Sequence, residues 1–116
     1  MKTLGQNIRE LRDKKDLSLR EFARKLGDIS PAHVSDIELG RRFPSPELLA
    51  KMAKLLEEPL EELQKYDQRA PIEDIKRMVG SNPAYGFAFR KLVEKQVSPE
   101  EILKLIEKAQ RDKDKR

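Results

Sequence analysis

Apolar side chains recur every three or four residues along residues 4–66, separated by polar and charged positions. This spacing places them on one face of an α-helix, and no stretch alternates apolar and polar residues as a half-buried strand does. Proline, glycine and serine fall at the breaks between segments, where an all-helical protein tolerates them. The pattern predicts five helices, at about Leu4 to Lys15, Leu19 to Leu26, Pro31 to Leu39, Pro46 to Glu57 and Pro59 to Tyr66.

Short polar residues and glycines mark the ends of these helices. Ser18 followed by Glu21 forms a capping box, in which each side chain satisfies a backbone N–H at the helix start. Ser30 precedes a proline, which suits the first helical position. Gly27 follows the second helix and suits the left-handed C′ position, and Gly40 ends the third helix. Five short helices joined in this way predict a compact all-α domain with mostly local contacts.

Three further helical patterns follow a proline-containing linker at residues 67–71. They span Ile72–Val79, Pro83–Lys95 and Pro99–Ala109. The middle one has an apolar stripe formed by Ala84, Phe87, Ala88, Leu92 and Val93, with Phe89 directed away from it. Residues 111–116 are charged and lack a pattern, so we expect a frayed tail. The predicted organisation is one domain at 1–67, a helical extension at 71–110 and a charged tail at 111–116.

The composition excludes several classes of protein and several kinds of functional site. The chain has no cysteine and one histidine, which excludes a disulfide scaffold, a thiolate zinc site and a two-histidine relay. No apolar run approaches the roughly 20 residues of a membrane helix, and the first residues lack the apolar core of a signal peptide. No glycine-rich phosphate loop is present, and His33 has no compelling acid or nucleophile at helical spacing. We therefore predict a cytoplasmic, non-enzymatic protein with no catalytic residue, metal site, cofactor or membrane association.

The net charge of +4 is distributed unevenly. Residues 1–42 carry a net charge of +3 and residues 43–67 carry −3, whereas residues 68–110 and 111–116 carry +2 each. Net charge bears on partners and solubility rather than on fold. The distribution therefore favours contact with a polyanion through the first third of the chain, with the acidic fourth and fifth helices directed away from it.

The second and third predicted helices, with the turn between them, have the layout of a helix-turn-helix. Its residue pattern lies in LSLREFARKLG at residues 17–27, SPAHVSDIELGRR at 30–42 and PSPELL at 44–49. Together these segments resemble the phage-repressor family (Cro-like, or XRE) of helix-turn-helix DNA-binding domains over about residues 3–66. The resemblance implies a lambda-repressor-like fold of five helices. It also implies a sequence-specific repressor that inserts its third helix into the major groove of a double-stranded DNA operator as a homodimer.

The resemblance further implies which side chains meet DNA. In the family, the outward face of the third helix meets base edges, whereas the start of the second helix and the residues after the third face phosphates. The DNA-binding residues predicted in this way are Ser18, Arg20, Ser30, Pro31, Ala32, His33, Asp36, Arg41 and Arg42.

The chemistry of these side chains leaves individual roles open. Ala32 suits contact with a thymine methyl group, and His33 either donates to a base or phosphate or is an ordinary surface residue. Asp36 either accepts a hydrogen bond from cytosine N4, or faces solvent or a partner within its own helix. Arg41 and Arg42 are interpreted as phosphate contacts rather than as a solvated charge pair, because they lie in the basic third of the chain.

Other matched positions have structural roles in the family. They are Arg12, Ala23, Gly27, Glu38 and Gly40. Arg12 and Glu38 match a salt-bridged pair that fixes the recognition helix to the first helix; the alternative is two exposed charges of little energetic value. Ala23 lies where two helices cross closely, and Gly27 supplies the positive φ of the turn.

The turn between the second and third helices departs from the family pattern. The spacing from Gly27 to Gly40 is one residue longer than is usual, and the extra residue lies within Asp28–Ser30. We expect Ile29 to fill the core in spite of this insertion. The tilt of the third helix, and hence the bases it contacts, depends on how the turn accommodates the extra residue.

The apolar stripes of residues 71–110 need another surface, because short helices of this kind are not stable alone. The helices pack within the chain, form a homodimer or bind a protein partner, and the sequence leaves these three open. The segment loosely resembles the extensions of XRE-type antitoxins and of regulators paired with a metalloprotease. An alternative function is therefore a protein-binding module, such as an antitoxin with autoregulatory or no DNA binding. Its partner, a toxin or a protease, would bind residues 71–110.

Overall fold

The computed structural model describes residues 1–115, which form eight α-helices and no strand. The helices are α1 (Leu4–Lys14), α2 (Leu19–Leu26), α3 (Pro31–Glu38), α4 (Pro46–Leu55), α5 (Leu60–Gln64), α6 (Ile72–Ser81), α7 (Pro83–Glu94) and α8 (Pro99–Asp114). The predicted all-α fold is confirmed. The chain divides into two compact units, of which the first is Met1–Arg69 and the second begins at Ala70.

One apolar core joins the five helices of the first unit. In this unit α1 packs on α3 and α5, α2 packs on α3 and α4, and α4 packs on α5. The core consists of Leu4, Ile8, Phe22, Ala23, Leu26, Val34, Ile37, Leu49, Met52, Ala53, Leu56 and Leu63. Every helix of the unit contributes at least one large apolar side chain to this core. Each such side chain stabilises the fold by about 1.5–3 kcal/mol when it is fully buried.

Side-chain hydroxyl groups cap the starts of the helices in the first unit. The caps of α1 to α4 are Thr3, Ser18, Ser30 and Ser45. Ser18 and Glu21 form the capping box that the sequence predicts, and α2 begins at the next residue. Thr3 and Gln6 form a second complete box at the start of α1, which the T-x-x-Q spacing could have indicated.

Four helices, α1, α3, α4 and α7, end in the same backbone motif. The residue after the C-cap has a positive φ, and the next N–H donates to a carbonyl in the last turn of the helix. The positive-φ residues are Asp16, Gly40, Glu57 and Gln96. In α3 the Gly40 N–H donates to Ile37 O at 3.1 Å, and the Arg41 N–H donates to Asp36 O at 2.8 Å. Glycine occupies only one of these four positions, so a search for glycine in the sequence identifies only one of these four helix ends.

Gly27 ends α2 in a different way. It is the C-cap residue, with φ 117° and ψ −153°, so the predicted left-handed C′ position is wrong although the positive φ is present. This region of backbone space is essentially limited to glycine. Apart from Gly27 itself and its two chain neighbours, no heavy atom of residues 1–115 lies within 4 Å of the position that a Cβ would take. The backbone conformation, rather than packing, therefore requires glycine at this turn.

Gly5 determines how closely α1 approaches the end of α3. A Cβ atom at this position would lie 2.4 Å from the carbonyl oxygens of both Ile37 and Glu38. These are backbone atoms and have no rotamer that could relieve the overlap, so any larger residue would separate the two helices. The turn and capping patterns do not indicate this role, and the only sequence signal is a glycine inside a helical stretch.

The second unit has no buried residue among those that the structure describes. Here α6 packs on α7, and a Cβ at Gly86 would be 3.4 Å from Val79 Cγ1. On α7, Phe89 and Leu92 are half-buried, whereas Phe87 is 56% exposed. The predicted stripe through Phe87, with Phe89 outside it, is therefore wrong. The close approach of α6 at Gly86 favours the face at positions 86, 89 and 92 over the one through position 87.

Helix α8 is longer than the sequence predicts. It continues through Arg111–Asp114, so the prediction of a frayed tail is wrong for these residues, and Arg116 lies outside the described part of the chain. Lysine and arginine are good helix formers, which favours helix over residues 111–114. Basic residues in the last turn also interact favourably with the helix dipole. Over residues 1–115, none of the helices has the length and apolar character needed to cross a membrane.

Candidate nucleic-acid interface

Helix α3 has one face in the core and one face outside. Val34 and Ile37 are buried. On the opposite side Pro31 and Ala32 are exposed, and Asp36 is partly exposed. The Ser30 hydroxyl starts the helix by accepting a hydrogen bond from the His33 N–H at 3.1 Å. The buried anchors therefore fix which side chains of α3 are available to a partner.

The longer turn before α3 closes on itself. The Ile29 N–H donates to Gly27 O at 2.9 Å, which makes a three-residue turn centred on Asp28. The Ile29 side chain is half-buried and packs against the core, as we expected. The extra residue is thus contained within the turn, and Ser30 remains in position to cap α3.

A buried ion pair connects α3 to α1. Arg12 Nε donates to Glu38 Oε2 at 2.7 Å, and Arg12 Nη2 donates to Glu38 Oε1 at 3.1 Å. Arg12 Nη1 also donates to Leu17 O at 2.6 Å, in the segment before α2. The hydrogen bond with Glu38 raises the pKa of Arg12 above its ordinary value. One guanidinium group thus joins α1, the α1–α2 connection and the last residue of α3.

Two arginines follow α3 and lie beside a carboxylate on the helix. Arg41 Nη1 is 3.7 Å from Asp36 Oδ1, and Arg42 Nε is 3.8 Å from Asp36 Oδ2. The two arginine side chains are 72% and 58% exposed, whereas the Asp36 side chain is 33% exposed. Of the predicted DNA-binding residues, the structure brings these three together.

The start of α2 carries an acidic group of its own. The Ser18 N–H donates to Glu21 Oε1 at 3.2 Å, and the Ser18 hydroxyl accepts from the Glu21 N–H at 3.1 Å. The hydrogen bond from the Ser18 N–H to the carboxylate lowers the pKa of Glu21. A carboxylate therefore already partly neutralises the positive end of the helix dipole, and the exposed Arg20 is the cationic group of this helix start. Within residues 1–115, no hydrogen bond or ion pair joins Ser18 or Arg20 to α3.

Two large apolar side chains flank the arginines and were absent from the predicted set. Leu39 is 56% exposed and Phe43 is 55% exposed. Arg69 stacks on the Phe43 ring, with its guanidinium carbon 4.9 Å from the ring centroid. An aromatic residue directly after two arginines is the sequence signal that could have indicated Phe43.

Comparison with known proteins identifies the family. The helix-turn-helix family profile matches residues 8–63. The HTH-type transcriptional repressor RghR of Bacillus subtilis (strain 168) is 30% identical over 105 residues, which cover 83% of this chain and 77% of RghR. The chain belongs to the XRE-type helix-turn-helix family. As a member of this helix-turn-helix family, it is a DNA-binding transcriptional regulator.

Two solved structures have a similar fold. PlcR of Bacillus thuringiensis, in complex with the peptide PapR7 and DNA, has a TM-score of 0.55 and 22% identity over 87% of this chain and 39% of PlcR. A chain of the SinR protein–SinI protein complex has a TM-score of 0.50 and 22% identity over 97% of this chain and 99% of that chain. At this level of identity the similarity shows the fold alone.

The ion pair between Arg12 and Glu38 gives a direct test of how α3 is held. We expect Arg12→Met or Glu38→Met alone to lower the free energy of unfolding by about 3–5 kcal/mol, because each leaves one charge buried without a partner. The double variant should lose clearly less free energy of unfolding than the sum of the losses in the two single variants. Urea unfolding of all four proteins in a double-mutant cycle measures this coupling.

The exposed pair of Lys65 and Glu62, separated by 2.9 Å, is the matched control. A cycle through Lys65→Met and Glu62→Met should give a coupling of at most about 1 kcal/mol. Additive losses for Arg12 and Glu38, or a coupling no larger than that of the control, would contradict the proposed attachment of α3 to α1.

Proposed function

We propose that this helix-turn-helix regulator is a sequence-specific repressor that inserts α3 into the major groove of an operator. The observation that carries this proposal is the orientation of α3: its inner face is anchored by core residues and by the Arg12–Glu38 pair, and its outer face is free. A fixed helix with a free face is what base recognition in the major groove requires. The repressor role is supported by the name of the relative RghR.

The residues around α3 divide into two groups by chemistry. Ala32 and Asp36 lie on the outer face, with the partly exposed His33 at its edge, and all three suit contacts to base edges. Arg41 and Arg42 suit phosphates, because each exposed guanidinium can donate two hydrogen bonds to one phosphate group. Ser30 and Pro31 at the start of α3, with Ser18 and Arg20 at the start of α2, complete the proposed set.

The second unit supplies the surface for a homodimer. An open groove of about 440 Å³ lies between α7 and α8, lined by Leu92, Ile102, Leu105 and Ile106 together with Lys91 and Lys95. Helix α8 carries Glu101 and Asp112 on the side of Leu105, together with Lys108. The α8 of a second copy would thus bring an apolar stripe and carboxylates to an apolar groove with two lysines. A two-fold dimer places two α3 helices on half-sites about 34 Å apart.

The same apolar surface supports the alternative, a protein-binding module. Leu105 and Ile106 of the groove are 64% and 57% exposed, and Leu103, outside the groove, is 60% exposed, which is a large apolar area for one helix. A toxin bound there would give the chain an antitoxin-like role, whereas a protease bound there would make it a regulator that is paired with that protease. Self-association of the purified protein would favour the dimer, because a dedicated partner site would leave it monomeric.

The proposed function is tested by selection from random DNA. We expect the purified protein to enrich one sequence motif from a pool of random duplexes. We also expect it to bind that motif at least 10³-fold more tightly than unrelated DNA at about 0.15 M salt. Fluorescence anisotropy with labelled duplexes measures both affinities. Equal affinity for every duplex, with no enriched motif, would refute the repressor.

Arg42 is expected to contact a phosphate. Arg42→Ala should weaken binding to the operator, and should reduce the slope of log K against log salt for that duplex by about 0.9. Anisotropy titrations at salt concentrations from about 50 to about 200 mM measure the change in slope. Lys65→Ala removes the same charge from the end of α5, beyond the helix-turn-helix, and should leave the slope unchanged. Equal slopes for Arg42→Ala and wild type would contradict the assignment.

Ile106 tests the dimer. It is 57% exposed, so Ile106→Glu should leave the monomer folded and place a charge in the groove between α7 and α8. We expect the variant to sediment as a monomer and to lose at least tenfold in operator affinity. Lys104→Glu places the same side chain outside that groove and should remain dimeric. A dimer for Ile106→Glu, or a monomer for the wild type, would contradict the proposed interface.

A further inference from the structure

Asp36 presents an electrostatic problem for a DNA-binding surface. It lies on the outer side of α3, where DNA phosphates would repel a carboxylate. A hydrogen bond from a base to this carboxylate would offset the repulsion. Its side chain makes no hydrogen bond within the described residues, and only its backbone carbonyl takes part in the turn after α3. Any residue can supply that carbonyl, so the fold does not require the carboxylate.

The neighbours of the carboxylate are the two groups expected on phosphates. Asp36 lies 3.7 Å from the Arg41 guanidinium and 3.8 Å from that of Arg42, which are ion-pair distances longer than a good hydrogen bond. An exposed pair of this kind is worth at most about 1 kcal/mol in stability. Stability therefore does not account for the arrangement.

The backbone and the side chains of this cluster differ in their freedom to move. The Arg41 N–H is fixed on Asp36 O at 2.8 Å, and the Arg42 N–H also points to that oxygen at 3.3 Å. The two guanidinium groups are mostly in solvent. They can therefore exchange the carboxylate for phosphates by side-chain rotation alone.

We propose that Asp36 makes the phosphate contacts of Arg41 and Arg42 dependent on the base sequence. On unrelated DNA the carboxylate remains beside both guanidinium groups and competes with phosphates for them. On the operator a cytosine N4 amino group donates to the carboxylate, and both arginines are released to the backbone. This inference rests on the proposed function, because it requires α3 to lie in the major groove.

The arrangement makes Asp36 a specificity-determining residue in two ways. A matched cytosine supplies a direct base contact, and the same contact frees two cations. Each additional phosphate contact raises the salt slope by about 0.9. Binding to the operator should accordingly depend more steeply on salt than binding to unrelated DNA, by up to about two such contacts.

The test is Asp36→Asn in the 116-residue chain, with the selected operator and an unrelated duplex of equal length. We expect tighter binding to unrelated DNA by about tenfold, with a steeper salt slope, and weaker binding to the operator by about tenfold. Replacing each base pair of the operator in turn should show that the variant has lost discrimination at one C·G pair. Unchanged thermal unfolding would show that the variant is folded.

Asp28→Asn is the matched control, because it removes the same charge from the exposed turn before α3. It should change the affinities for both DNAs by the same factor. The inference is overturned if Asp36→Asn behaves like this control, with equal factors and full discrimination at every base pair. A wild-type protein without any preferred duplex would instead refute the proposed function itself, together with the inference.

Discussion

The contact between α1 and the end of α3 is the constraint on which the proposed interface depends. Gly5 allows the two helices to approach until any side chain would meet the carbonyls of Ile37 and Glu38. At the same place Arg12 satisfies both carboxylate oxygens of Glu38. Two buried charges are costly unless they are paired with good geometry, so displacement of α3 leaves them without partners. The orientation of the outer face of α3 follows from this arrangement.

Electrostatics then decides what that face can contact. The arginines after α3 are exposed and the start of α2 carries Arg20, whereas the Glu21 carboxylate occupies the α2 N-terminus. Asp36 lies among the cations and offsets part of their charge. A surface built only for affinity would omit this carboxylate, because phosphate attraction supplies most non-specific binding. Its presence fits a protein in which a lower affinity for unrelated DNA accompanies better discrimination between base sequences.

The sequence predicts the first unit closely because its helix starts depend on local signals. Ser18, Ser30 and Ser45 each cap their own helix, and that information lies within four residues. Features that depend on a neighbouring element were not predictable in this way. The role of Gly5 depends on where α3 crosses it, and the face of α7 depends on the approach of α6. The Arg12–Glu38 pair was found only through the resemblance to a family, since its two residues are distant in sequence.

DNA cleavage by a chelate attached beside α3 gives the most direct test of where this helix lies. The chain contains no cysteine, so Asp28→Cys, in the exposed turn before α3, provides one site for an attached iron chelate that cleaves nearby DNA without replacing a residue of the proposed interface. On the selected operator we predict two short cleaved regions, their centres about 10 base pairs, or one helical turn, apart. A chelate attached through Lys65→Cys, on the acidic α5 side, should cleave little. Uniform cleavage from position 28, or stronger cleavage from position 65, would contradict the placement of α3 in the major groove.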